Sequence, residues 1–304
     1  MHRKRTRTKT KPKTAINDAE LISYLNERRA WVNQALDQFL PGENTPPAPL
    51  HRAIRYSVLS EGKRLRPILC MAACEALGGD PRRALGFGCA LEYLHAYSLI
   101  HDDLPAMDND DLRRGRPTSH KVFGDALAIL AGDALNTEAF ALLARSAREN
   151  GFQPSVALAV IEELAKAAGF DGMVAGQVVD LAKQKEPCSA AELDFIHRRK
   201  TAALIRAAAR IGALAAGAGK RDLERISRYG EAIGLAFQIV DDLLDEKESD
   251  RKNQSATYVS VHGREAARTR AAELCDQALA AIEPLGRPAE PLAGLARYIV
   301  DRKT

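Results

Sequence analysis

The chain of 304 residues is 46% hydrophobic but only 5% aromatic, and its abundant Ala and Leu favour helices packed through small side chains over sheets. Its length allows a sizeable buried core. The net charge of +4 sits in residues 1–14, which carry seven Lys or Arg and no acid; the remainder holds 37 basic and 40 acidic side chains, a balance that gives the body no footprint for nucleic acid.

In chain order, residues 1–14 read as a disordered basic tail and residues 15–304 as one folded domain. The tail lacks the apolar h-region of a secretory signal, and though Arg-rich like a transit peptide it lacks an amphipathic helix. Apolar residues then recur with the helical period near 17–39, 49–60, 65–78, 82–104, 120–147, 154–168, 170–184, 190–217, 221–246, 262–282 and 288–301. The breaks carry turn signals: PGENTPPAP at 41–49, GGDP at 78–81, Gly169, the capping turn Pro187-Cys188-Ser189, and Gly286-Arg287-Pro288. No segment alternates as a strand does, and no apolar run is read as long enough to span a bilayer. The expected fold is all-α and single-domain. Five scattered cysteines, Cys70, Cys74, Cys89, Cys188 and Cys275, read as reduced thiols of a cytoplasmic protein.

The stretch LEYLHAYSLIHDDLPAMDNDDLRRGRP at 91–117 runs from an apolar helix into a knot of charge. Asp102, Asp103, Asp108, Asp110 and Asp111 repel one another unless a cation neutralises them, and oxygen-only ligands suit Mg²⁺. Arg113, Arg114 and Arg116 follow at once and offer forks for phosphate oxygens. A lone cluster of this kind is commonly a solvated surface, but FQIVDDLLDE supplies a second one, Asp241, Asp242 and Asp245, at the end of another apolar run. Asp241 and Asp245 share a helix face. Two such helices facing each other across a bundle would bring Asp102 and Asp241 to one cavity mouth.

Three further features join them. GKRLRP at 62–67 places three cations at a helix start, where free amides already favour an anion; surface charge is the plain alternative. Lys200-Thr201 leads into the apolar segment TAALIRAAARIGALAAGA, so the lysine either snorkels or pairs with an anion. Gln177 and Gln238 sit among apolar residues and need partners, and His95 lies two turns before Asp102 on nearly the same face.

These motifs resemble those of the trans-isoprenyl diphosphate synthases, in particular the bacterial farnesyl diphosphate synthase and geranylgeranyl diphosphate synthase types. The likeness rests on GKRLRP at 62–67, HAYSLIHDDLPAMDNDDLRRGRPT at 95–118, FGDALAILAGDAL at 123–135, AGQVVDL at 175–181, KTAAL at 200–204 and FQIVDDLLD at 237–245. It covers roughly residues 20–300. The resemblance implies an isoprenoid synthase-like helical bundle around a deep apolar cavity, working as a homodimer. It implies condensation of an allylic diphosphate with isopentenyl diphosphate through an allylic carbocation, with three Mg²⁺ ions. Residue by residue, it makes Asp102, Asp108 and Asp241 metal ligands, with Asp103, Asp242 and Asp245 as further or water-mediated ones. Arg113, Lys200 and Gln238 would hold the allylic diphosphate, with the Thr201 hydroxyl and Lys200 carbonyl beside the cation. Lys63, Arg66, His95 and Arg114 would hold isopentenyl diphosphate. Tyr97 and Ser98 would set the cavity floor, a bulky Tyr97 resembling the fifteen-carbon type; on an ideal helix, however, Tyr97 lies about 140° around from Asp102.

The sequence departs from the family after Asp245, where EKESDRKNQSATYVSVHG replaces a loop some ten residues longer. One expected lysine is absent and Ser255 stands at another; Lys247, Arg251 or Lys252 could substitute. The shortening keeps a terpene cyclase, a diphosphate-hydrolysing enzyme and a non-catalytic partner subunit open as alternatives. Lys63, Arg66, Arg113 and both aspartate clusters favour the synthase.

Overall fold

Helix starts follow local chemistry. Asn17 and Ser189 each close a capping box, with Glu20 and Glu192 respectively, and Asp80 caps the amide of Arg82 with Pro81 in the first helical position. The computed structural model describes residues 16–184, 186–245 and 256–302. The basic tail and the segment carrying Lys247, Arg251, Lys252 and Ser255 lie outside the described residues, as does the side chain of Asp245.

In order, the elements are α1 (Asp18–Phe39), α2 (Ala48–Val58), α3 (Leu65–Ala76), α4 (Pro81–Asp102), β1 (Leu112–Arg113), β2 (Arg116–Pro117), α5 (Ser119–Phe123), α6 (Asp125–Glu149), α7 (Pro154–Ala168), α8 (Met173–Lys183), α9 (Ala190–Ile196), a π-helical segment (His197–Ala202), α10 (Ala203–Ala215), α11 (Lys220–Asp245), α12 (Tyr258–His262), α13 (Arg264–Ile282), 3₁₀ turns at Glu283–Leu285 and Arg287–Ala289, and α14 (Glu290–Asp301). The expected all-α class holds, and the two strands are a minimal antiparallel hairpin pairing Arg113 with Arg116.

The segment 201–218 becomes the central helix. Leu204, Ile205, Ala207, Ala208, Ala209, Ile211 and Ala213 on α10 are fully buried, and the helix packs on α3, α4, α7 and α11. Gly212 lets it approach α3 so closely that a side chain there would strike the carbonyl of Cys70. One contiguous apolar core runs from Val32 to Ile299 through these helices.

Five local expectations need correction. The segment 120–147 is two helices, broken at Gly124, and 262–282 is preceded by a separate turn ending at Gly263; both glycines have φ 84°, a backbone that excludes continuation of a right-handed helix. The helix expected over 190–217 is interrupted by the π segment. The hairpin was not anticipated: its turn, Arg114-Gly115, takes φ of 53° and 74°, the double left-handed geometry of the tightest hairpins. Finally, α6 is long and apolar enough to cross a membrane by composition, contrary to the sequence expectation, yet Ala128, Ala131, Gly132, Leu135 and Ala139 are buried in the bundle.

Candidate active site

The first carboxylate pair is made by a loop that doubles back on its helix. After α4 ends, the Asp108 amide donates to the Asp102 carbonyl (2.9 Å), and the Met107 and Asn109 amides both donate to Leu104 (2.9 and 3.1 Å). The fold-back returns Asp108 beside Asp102. Burial pushes the Asp102 carboxyl up to about 6; Lys200 opposes the shift and Asp108 adds to it. Lys200 arrives from the π segment, its Nζ 2.6 Å from Asp180 Oδ2. Burial disfavours its charge, but Asp180, Asp102 and Asp108 together hold its pKa above the usual lysine value. From the end of α8, Gln184 Nε2 donates to Asp108 Oδ1 at 2.9 Å.

The π segment is placed by glycines. A Cβ at Gly176 on α8 would fall 2.8 Å from Lys200 Cα, and one at Gly234 on α11 would fall 2.8 Å from Ala202 Cα. Two bare helix faces thus clamp the backbone that carries Lys200 and Thr201. Single π turns occur disproportionately at functional sites.

The second cluster is engaged by protein groups. Asp242 is buried and accepts from Gln238 Nε2 (2.8 Å) and from the Tyr258 amide (2.6 Å). Gln238 in turn accepts from the Thr201 hydroxyl at 2.7 Å. His197 Nε2 lies 3.5 Å from Asp242, and burial drives its imidazole down to about 4, so it is neutral near pH 7. Asp241 pairs with Arg302 at 2.6 Å, and that guanidinium also stacks 4.2 Å over the Phe237 ring.

The cations gather on the side of the hairpin. Arg113 grips Asp103 through two nitrogens, Nε at 3.0 Å, and Asp103 is 3% exposed. A cleft of about 810 Å³ is lined by Lys63, Arg66, His95 and Arg114, with Arg302 and Asp241 at its wall. Arg66 Nε is buried there with no protein partner. Burial, and then the charges of Arg66, Arg114, Arg64 and Arg113, press the His95 pKa well below the usual histidine value, leaving a neutral ring.

The four residues assigned to isopentenyl diphosphate therefore share one cleft, and Asp102, Asp108 and Lys200 share one corner. Asp102 faces Lys200 and Asp108, and Asp241 pairs with Arg302. Among the described residues no three His, Cys, Asp or Glu side chains converge as a ready metal-ligand set. The Asp102–Asp108 pair still suits Mg²⁺, which takes one or two carboxylates and completes its shell with water and phosphate oxygens. Gln177 has both amide atoms buried without a partner among the described residues. Tyr97 packs edge-on against His101, centroids 4.9 Å apart. Burial raises its hydroxyl pKa, with Asp102 and then Asp133 adding to the shift. Ser98 donates to the His95 carbonyl at 2.9 Å.

Asp180, Gln184, Glu92 and Arg302 were not singled out from the sequence. Asp180 was within reach of that reading, as the acid of AGQVVDL. Arg302 was not, since nothing local ties it to Asp241, 61 residues away.

Residues 47–272 match the family model described as Polyprenyl synthetase. The chain is 47% identical over 248 residues to a farnesyl diphosphate synthase of Geobacillus stearothermophilus, covering 78% of this chain and 83% of that protein. It is 42% identical over 300 residues to the "Heterodimeric geranylgeranyl pyrophosphate synthase large subunit 1, chloroplastic" of Arabidopsis thaliana, covering 93% and 80% respectively. Its fold superposes on an apo FPP/GFPP synthase from Zymomonas mobilis with a TM-score of 0.86 at 41% identity, over 93% of this chain and 99% of that one.

Proposed function

The chain belongs to the polyprenyl synthetase family and is a short-chain prenyl diphosphate synthase, and from that premise we propose that it joins isopentenyl diphosphate to dimethylallyl or geranyl diphosphate with farnesyl diphosphate as product. The observation that carries the reading is the division of the site into two anion-receiving corners: Asp102, Asp108 and Lys200 at one, and Lys63, Arg66, His95 and Arg114 at the other. A single-substrate hydrolase or cyclase has no use for the second.

The family is magnesium-dependent. On this reading Asp102, Asp108 and Asp241 would hold Mg²⁺, with Asp103, Asp242 and Asp245 as further or water-mediated ligands. Bound magnesium, three ions on the family's pattern, neutralises the pyrophosphate that leaves when the allylic C–O bond ionises. Lys200 and Arg113 take further charge of the same group, where negative charge grows in the transition state. Gln238 fixes the Thr201 hydroxyl beside the allylic carbon, and the Lys200 carbonyl offers a second dipole to the cation. The orphaned amide of Gln177 supports a ligand in this corner, because a buried amide left unmatched costs about 1–3 kcal/mol. Isopentenyl diphosphate held in the basic cleft presents its double bond to the cation, and the departing pyrophosphate takes the proton. Water must stay out, or the cation is quenched to an alcohol.

Tyr97, just over one turn before Asp102 and with its ring packed on His101, is the bulky residue that this reading makes the cavity floor of a fifteen-carbon enzyme. The exposed apolar residues Ile129, Leu130, Leu158 and Val178 on α6, α7 and α8 support association with a second copy, although one relative is named as a subunit of a heterodimer. The buried free thiols of Cys70, Cys74, Cys89 and Cys275 agree with a cytoplasmic location. Lys200→Ala tests the reaction: incorporation of labelled isopentenyl diphosphate should fall at least 100-fold, on the order of removing one transition-state charge contact, with the fold kept. Undiminished incorporation would remove Lys200 from the mechanism.

A further inference from the structure

The cations of GKRLRP divide in two. Arg64 is turned inward, and all three of its guanidinium nitrogens are used by the protein: Nε donates to Asn33 Oδ1 (2.9 Å), Nη1 to Glu92 Oε1 (2.8 Å) and Nη2 to the Ser60 carbonyl (2.7 Å). The Arg64 and Glu92 side chains are 4% and 5% exposed. Three of its five N–H donors are thereby committed within the protein. Lys63 and Arg66, on either side of it, line the basic cleft, and Arg64 and Glu92 form part of the same wall.

The backbone explains the division. Arg64 has φ 50° and ψ 36°, a left-handed conformation that a long L side chain keeps only where its surroundings impose it. From that turn its carbonyl accepts the Ile68 amide (3.1 Å) and opens α3. The turn is also where the hairpin is fastened: Arg114 Nη1 donates to the Glu61 carbonyl, passing so close to Gly62 that a Cβ there would lie 2.8 Å from it. Glu92 anchors this assembly from α4, one turn before His95. It also acts through space: burial lowers the Arg66 and Arg114 pKa values, and in each case Glu92 is the first charge that opposes the drop.

We propose that Glu92 is the positioning residue of the basic cleft: through Arg64 it holds the left-handed turn that presents Lys63 and Arg66, and it supplies the buried counter-charge for Arg66 and Arg114, without touching substrate. The buried pair is thus part of the substrate-binding apparatus as well as of the core. The inference rests on the reading of this cleft as the isopentenyl diphosphate site.

Steady-state kinetics on the full chain with Mg²⁺ separate the two, using Glu92→Gln, Glu92→Asp, Arg64→Gly and Lys63→Ala. Loss of a buried charge-assisted bond predicts a KM for isopentenyl diphosphate about tenfold higher in Glu92→Gln, with kcat and the allylic KM within about twofold. Glu92→Asp, which keeps the charge, recovers part of the loss. Arg64→Gly, which relieves the backbone conformation but drops the anchor, shows the same KM defect. An unchanged KM in Glu92→Gln, or equal rises for both substrates, overturns the proposal, the latter meaning general loosening. If Lys63→Ala raises the isopentenyl diphosphate KM and Glu92→Gln does not, only the role of Glu92 falls. If Lys63→Ala leaves that KM unchanged, the cleft assignment itself falls. Should Glu92→Gln melt below the assay temperature, Glu92→Asp and Arg64→Gly carry the same comparison.

Discussion

Substituting Gly176 with alanine tests whether the π segment is held by backbone contact. The new Cβ would lie 2.8 Å from Lys200 Cα and 2.9 Å from the Arg199 carbonyl carbon, against an ordinary carbon–carbon separation of about 3.5–4.0 Å. All of these atoms are backbone, so no side chain can swing aside and the segment must retreat by roughly 1 Å. Overpacking of this kind costs about 1–3 kcal/mol, a loss of roughly 2–10 °C in a chain of this size. The chemical effect should be larger, because misplacing reacting groups by about 1 Å costs roughly 100-fold in rate. Turnover of labelled isopentenyl diphosphate, read beside a thermal melt, separates the two. A protein that melts a few degrees lower and turns over about 100-fold slower fits the account. Near-full turnover would mean that Lys200 and Thr201 do not depend on this contact.

Asp102 gives a pH test on metal-free protein. Its folded value of about 6 lies above the unfolded carboxylate value of about 3.9, so the native state holds the extra proton between roughly pH 4 and 6. Stability present below that window is therefore lost as pH rises through it, by at most about 3 kcal/mol. Asp102→Asn should flatten this fall in melts taken with chelator and should be the more stable form near pH 7.5; an unchanged profile refutes the assignment. Tyr97→Ala should shift the product distribution toward twenty carbons with only a modest change in turnover, read by chromatography of the dephosphorylated products, and an unaltered distribution would move the floor elsewhere.

The helices were legible because burial on one face imposes a period on the sequence, and long apolar segments such as 201–218 announce a central helix. The exceptions have local causes. Gly124 and Gly263 break helices through a positive φ that one-residue identity does not reveal, since Gly132 and Gly176 sit inside helices unbroken. The π segment has no pattern of its own; it follows from Gly176 and Gly234, which come from helices distant in sequence. At the site, the residue types marked the chemistry but not the pairings. Arg64, Arg66 and Lys63 look alike in GKRLRP, and only the fold shows one of them spent on Glu92. Asp103 and Asp102 are neighbours in sequence yet point to different partners, one to Arg113 and one to Lys200. Arg302 closes on Asp241 from the far end of the chain, beyond any spacing argument.

The most direct measurement is a product assay with Mg²⁺ and labelled isopentenyl diphosphate, offered separately with dimethylallyl, geranyl and farnesyl diphosphates and resolved by chain length. The account predicts label in a fifteen-carbon diphosphate from the first two primers, abolished by chelator, with little extension of the third. Pyrophosphate release without incorporation of label would contradict it, leaving a site that ionises allylic diphosphates but does not condense them.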